Sequence, residues 1–244
     1  MTVEGLISWL RRRLTPGEYF GLELTLGVLI FVGAAWIFGG LAEDVASGAP
    51  ITRVDQNLAR WMNLHQVTSI RDLMTIVSFL HTWPIGLAAA GFLALLMWRR
   101  DWHWIIVGLS AVGGGIALNT ALKLAFHRER PTLAGLASAL HTYSFPSGHT
   151  LAATVLYGVF AGYLLRTIRS RAARRSLIAA AVTVVLLVAF SRIYLVVHYL
   201  SDVLAAMAEG VAWLALCYTA TSTLIARYRH RHRARQTRGE SLHR

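Results

Sequence analysis

The chain holds one cysteine, Cys217. No disulfide can form within it, and cysteine usage carries no information about redox compartment. Lysine is as rare: among 24 basic residues, Lys123 is the one that is not arginine. Charge as a whole is scarce, at 15% of residues against about 25% in soluble domains. That excludes an ordinary water-soluble surface. No polar linker, second soluble domain or internal repeat interrupts the chain, so residues 1–244 read as one domain. The N-terminal stretch lacks the order of a cleavable signal, because its arginines follow the short apolar run instead of preceding it. It is expected to be retained.

What the chain does have is apolar length. Hydrophobic residues make up 55%. Six stretches approach the roughly 20 residues needed to cross about 30 Å of hydrocarbon. They lie near 19–41, 73–98, 104–124, 150–166, 177–197 and 203–226. The expected fold is all-α, an integral membrane bundle of six transmembrane helices. Trp83-Pro84 interrupts the second stretch. A kinked single span is favoured there over an interfacial helix followed by a short span from Pro84.

The net charge of +12 is not spread as a nucleic-acid surface would spread it. Seventeen basic residues cluster at Arg11–Arg13, Arg99–Arg100, Arg166–Arg175 and Arg227–Arg244, beside alternate span ends. The other seven are Arg53, Arg60, Arg71, Lys123, Arg128, Arg130 and Arg192. The positive-inside rule then places both termini in the cytoplasm and the 125–149 and 192–202 regions together outside, with a bacterial inner membrane expected. Residues 3–14 read either as a surface helix on the cytoplasmic leaflet or as a frayed end. The tail 227–244 reads as disordered or lying on that leaflet. In the 42–72 loop, Val54, Leu58, Trp61 and Met62 have helical spacing. They suggest an amphipathic outer-surface helix that shapes substrate entry or, by slight preference, only packs.

Three segments stand out from this lipid-adapted background, each putting ionisable groups at a span end. In KLAFHRERP, Lys123 and Arg130 are seven apart and share a face if the helix continues, which would make a cationic clamp. Snorkelling with no ligand explains them equally well. In YSFPSGHT, Pro146 and Gly148 permit a tight turn, Ser147 is a candidate N-cap, and His149 stands at a helix mouth suited to anions. In SRIYLVVHYLSD, His198 and Asp202 are at i and i+4, so Asp202 can fix the histidine tautomer and leave the other nitrogen free to attack. Arg192 offers a permanent guanidinium fork for phosphate, and a turn is needed to bring it and His198 to one place. His81, Glu23 and Glu209 get interfacial or interhelical structural readings, and His127 and Arg128 are taken as neighbours of the clamp without a catalytic part.

Together the three segments resemble the type 2 phosphatidic acid phosphatase superfamily of membrane phosphatases, related to vanadium haloperoxidases. The family pattern appears here as Lys123, six residues, then Arg130-Pro131; as Pro146-Ser147-Gly148-His149; and as Ser191-Arg192, five residues, His198, three residues, Asp202. All three parts match without substitution across 123–202. The resemblance implies that His198 is the nucleophile, that Asp202 orients it and that His149 is the general acid. It implies that Lys123, Arg130, Arg192, Ser147 and Gly148 bind phosphate, with no metal or other cofactor. The implied substrates are lipid phosphates or diphosphates of the phosphatidic acid, phosphatidylglycerol phosphate or undecaprenyl diphosphate class. The implied partners are that substrate and membrane lipids, not nucleic acid. A phosphotransferase on the same fold is the nearest alternative, and a transporter with buried charges is the reading of a different class. Neither the lipid nor the oligomeric state can be read from the motifs.

Overall fold

The computed structural model describes the backbone of residues 22–132 and 142–241, and side chains up to Leu224. The 3–14 segment and the side chains of Glu23 and of the basic tail lie outside the described residues. Among the described residues the chain is helical without strands. Eight helices follow in order: α1 Leu22–Ser47, α2 Pro50–Leu64, α3 Thr68–Leu80, α4 Trp83–Trp98, α5 Trp102–Phe126, α6 Gly148–Leu165, α7 Arg171–Tyr194 and α8 Leu200–Ser241. Six stretches are long and apolar enough to cross a membrane: Leu24–Ser47, Thr68–Trp98, Trp102–Phe126, Gly148–Leu165, Arg171–Tyr194 and Leu200–Leu224. The protein is an integral membrane protein. Helices are the expected solution, because a spanning segment must satisfy its backbone polar groups internally.

The burial pattern is the reverse of a soluble domain. Leu29, Trp36, Ile37, Leu87 and Ile116 face outward, where lipid would meet them. Asp55, Asn119, Arg192, His198, Asp202 and Glu209 face inward. An apolar cluster of Leu96, Trp104, Val107, Leu151, Val155, Val159 and Tyr163 fills the centre between α4, α5 and α6. Close helix approach supplements it. A Cβ on Gly158 of α6 would collide with Leu214 of α8, and one on Gly162 would collide with the Tyr218 hydroxyl. Small residues at this spacing let two backbones meet where lipid offers no hydrophobic drive. Pressing α6 against α8 brings their N-termini side by side, and the Ser147 N–H donates to the Asp202 carbonyl at 3.1 Å.

Several boundaries differ from the sequence expectations. The second span is not one kinked helix. It breaks into α3 and α4 at His81–Thr82, and Pro84 sits in the first turn of α4, where its missing N–H costs no hydrogen bond. The fifth span starts earlier, at Arg171, because the Ser170 side chain caps the helix by accepting from the Ala173 N–H at 3.4 Å. The tail does not leave the helix after the membrane: the α8 backbone stays helical to Ser241, in a stretch without proline and without glycine before Gly239.

The amphipathic helix in the 42–72 region forms as α2, and it docks partly by the expected stripe and partly by a polar position beside it. Val54 and Trp61 are more than half exposed, whereas Asp55 and Ala59 are buried. The stripe is split: Val54 and Trp61 point outward, Leu58 and Met62 are half-buried with Met62 packed on Met74, Tyr194, Leu195 and Val197, and the Asp55 carboxylate turns inward to partners on other helices.

Candidate active site

The three segments converge at one end of the bundle, and each arrives by a different local device. α5 ends at Phe126, where His127 takes a left-handed conformation (φ 47°). The helix therefore does not continue from Lys123 to Arg130, and the expected shared helical face does not exist. The clamp forms another way. Lys123 at the helix end donates to the Tyr143 carbonyl at 2.6 Å. Arg130, on the extended stretch beyond, donates to the carbonyls of Thr142 at 2.8 Å and Val197 at 2.9 Å. Both cations are braced by backbone acceptors of two other loops.

The second segment packs through Phe145, which is fully buried against Phe38 and Phe126. α6 starts at Gly148, as the turn chemistry suggests. Ser147 occupies the N-cap position, yet its side chain does not cap the helix; its hydroxyl accepts from Thr150 at 3.1 Å. The free N–H groups of the first turn are thus not covered by that side chain. Gly148 lies over Asn119, whose side-chain oxygen would be 3.3 Å from an added Cβ. Asn119 in turn donates to Glu209 at 3.1 Å, so Glu209 makes the interhelical bond expected of it.

The third segment contains the turn that sequence spacing required. α7 ends at Tyr194, and Val196 has φ 54°. The N–H groups of Val197 and His198 both reach back to the Arg192 carbonyl, at 3.2 and 3.3 Å. This fold-back puts His198 beside Arg192 and just ahead of α8. Arg192 is buried and donates to Ser78 of α3, and its Nε has no partner among the described residues.

The polarity of His198 can be read from its neighbours. Its Nδ1 lies 3.3 Å from the Asp202 carboxylate and its Nε2 lies 3.1 Å from Arg130 Nη1. A guanidinium can only donate, so Nε2 carries the lone pair and Nδ1 carries the proton given to Asp202. Burial lowers the His198 pKa to about 4; Asp202 opposes that shift, while Arg192 and Arg130 add to it. Burial likewise pulls the Arg130 guanidinium down, against the pull of Asp202.

The Asp202 carboxylate is heavily bonded. It accepts from the Tyr199 N–H at 2.9 Å, from Ser144 and from Arg128 at 2.6 Å. Arg128 extends the network. Its other nitrogen pairs with Asp55 at 2.8 Å, and its guanidinium lies 4.3 Å from the centre of the Tyr199 ring. Asp55 also accepts from the Ser201 N–H at 3.0 Å and from its hydroxyl at 2.5 Å. Arg128, taken from sequence as a bystander, is the tie between α2 and α8. Asp55, Ser78, Ser144 and Ser201 were not singled out at all. The one available signal was an acid at position 55 on a helix meant to lie against lipid.

His149 opens α6 among Arg192, His198, His81 and Arg130, all of which act on it electrostatically. Among the described residues no group of three or more His, Cys, Asp or Glu side chains is arranged to hold a metal ion.

Comparison with known proteins bears on the family and the fold. A family model described as the PAP2 superfamily matches residues 102–226, just over half the chain. Phosphatidylglycerophosphatase B of Bacillus subtilis (strain 168) is 31% identical over 118 residues, 48% of this chain and 57% of that protein. The match thus spans little more than half the length of that curated relative. Among solved structures, a transmembrane PAP2-type phosphatidylglycerolphosphate phosphatase from Bacillus subtilis is similar, with a TM-score of 0.68 at 25% identity. That likeness covers 77% of this chain and 94% of the other. Aquifex aeolicus LpxE shares the fold with a TM-score of 0.53 at 22% identity, over 68% of this chain and 94% of its own.

Proposed function

The chain belongs to the PAP2 superfamily, and on that premise we propose that it hydrolyses a membrane lipid phosphate or diphosphate through a phosphohistidine on His198. The observation that carries this reading is the pair of contacts on the His198 ring. Nδ1 faces Asp202 while Nε2 points its lone pair at Arg130. The guanidinium marks the place where an anionic phosphoryl group would be held. An arriving phosphate oxygen takes over the Arg130 N–H, and the freed Nε2 lone pair then faces phosphorus.

The chemistry balances in two steps. Nε2 of His198 attacks phosphorus, the bond from phosphorus to the lipid oxygen breaks, and protonated His149 gives its proton to that oxygen. Neutral His149 then takes a proton from water as the water oxygen attacks phosphorus. The P–N bond breaks, inorganic phosphate leaves and both histidines are regenerated. Phosphoryl transfer needs chiefly positioning and stabilisation of charge on the equatorial oxygens. Lys123, Arg130 and Arg192 supply the positive charge, with Ser147 and the Gly148 N–H at the α6 mouth. Asp202 holds the nucleophile and carries the counter-charge of Arg128.

The substrate reading leans on the relative. A protein named phosphatidylglycerophosphatase B makes phosphatidylglycerol phosphate the first lipid to try, followed by phosphatidic acid and undecaprenyl diphosphate. The basic clusters at alternate span ends support a site on the outer face of a bacterial inner membrane, with both termini inside. Handing the same phosphohistidine to another acceptor would make a phosphotransferase, and phosphate release measures the difference.

The test is phosphate release by the detergent-purified protein from each of the three lipids, in EDTA. Release is expected in EDTA, with His198→Ala and His149→Ala each losing about a thousandfold or more. Activity that vanishes with chelator and returns with a divalent ion would overturn the cation-only mechanism. Undiminished release by His198→Ala would remove it as the nucleophile.

A further inference from the structure

His81 was expected to be an ordinary interfacial histidine. The helix break puts it elsewhere. Its N–H closes the end of α3 by donating to the Val77 carbonyl at 3.3 Å, and the Thr82 N–H donates to the Phe79 carbonyl at 2.9 Å. These two turns release the chain from α3 and direct His81 inward, where it is 5% exposed. Its ring centre lies 6.4 Å from that of His149 and 5.9 Å from that of Tyr157, stacked on the latter at 28°. Neither ring nitrogen is in hydrogen-bond geometry with a described group, although the His149 backbone is beside it. A polar ring buried without a partner loses its hydration with nothing in return, so this placement calls for a function.

His149 shows the complementary need. A general acid works with one ring nitrogen, and the other is normally held by a partner that fixes the tautomer and the ring orientation. For His198 that partner is Asp202. For His149 the ring contact among the described residues is with His81. The charged and titratable groups around it are Arg192 at the end of α7, His198 in the turn after it, Arg130 beyond α5 and His81 after α3. None is a carboxylate. Of these, His81 is the one that can be a neutral acceptor without being the nucleophile. At 6.4 Å between centres the two rings do not bond directly, and the gap suits one bridging water.

We propose that His81 is a positioning residue for His149, accepting through one bridging water the hydrogen bond of the His149 nitrogen that does not face the leaving group. The inference rests on the reading of His149 as general acid. Acting as acceptor, His81 supports the protonated form of His149 that must give its proton to the lipid oxygen. Its stack on Tyr157 holds the imidazole in the orientation that does so.

The experiment compares His81→Phe and His81→Gln with the wild type, measuring kcat and KM against pH on the lipid phosphate hydrolysed fastest, with thermal unfolding in detergent as the check on folding. The ring without nitrogens should move the alkaline limb of kcat down by about one pH unit and cut kcat at pH 8 roughly tenfold, leaving KM within about twofold. His81→Gln, which keeps an acceptor, should recover most of both effects. A folded His81→Phe protein with the wild-type pH profile overturns the proposal, and so does a loss of kcat equal at every pH. Should the phenylalanine variant not fold, a glutamine variant with the limb moved as far down as in an alanine variant overturns it too. His149→Ala is run alongside. If it keeps wild-type activity, the acid assignment itself fails, which is a separate result from an unmoved limb in the His81 variants.

Discussion

At the scale of single residues, the decisive property is which nitrogen of His198 is bare. Arg130 donates to Nε2 and Asp202 faces Nδ1, so the histidine is held neutral with its lone pair toward the cations. Protonating Nε2 removes that lone pair, so the rate must fall as the pH drops through the His198 pKa. Burial sets that pKa at about 4, below the ordinary 6.5. The acid limb of kcat/KM is therefore expected near pH 4, and a pH series of initial rates on a soluble short-chain lipid phosphate checks it. A limb near 6.5 would mean that His198 is solvated in the working enzyme. Lys123 was legible as the one lysine of an arginine-rich chain, and in the structure it donates to the Tyr143 carbonyl near Arg130. Its expected face-sharing with Arg130 was not correct, because a left-handed His127 ends the helix first.

At the scale of elements, α2 is more than a float on the membrane surface. Its Asp55 shares Arg128 with Asp202 and bonds Ser201, so a lipid-side helix is clamped to the N-terminus of α8. Removing one partner of a buried pair leaves the other uncompensated, at about 3–5 kcal/mol. Asp55→Ala is expected to lower the unfolding temperature and to reduce kcat by loosening Asp202. A double-mutant cycle with Arg128→Ala, read by thermal unfolding in detergent, should show coupling of at least about 0.5 kcal/mol. Additive effects would mean that α2 is held by its apolar contacts alone. Helical spacing had foretold this helix, but apolar spacing could not tell how much of the stripe would dock. In a membrane protein the apolar stripe is as much at home against lipid as against protein.

At the scale of the whole molecule, the site gathers at one end because α5 and α7 finish there while α6 and α8 begin there. The arginine clusters of the sequence fall at the other span ends, which is the ground of the proposal that the site faces outward. On a Cys217→Ser background, His65→Cys in the turn after α2 and Arg169→Cys in the turn after α6 test it. With a membrane-impermeant maleimide on intact cells, the first is expected to label and the second to label only after lysis. The reverse pattern would turn the active site to the cytoplasm.

The sequence by itself determined the helical membrane class, within a few residues the six crossings, and the three motifs with their order. Those follow from local facts: apolar length against bilayer thickness, and residue types whose chemistry does not depend on their neighbours. Only the tertiary structure decided that Arg128 ties Asp55 to Asp202, that Ser78 holds Arg192 and that His81 lies against His149. These partners lie more than 60 positions apart in the chain. No periodicity links them, because what joins them is the cost of leaving a buried charge or dipole unpaired, and that cost arises only once the helices have closed around it.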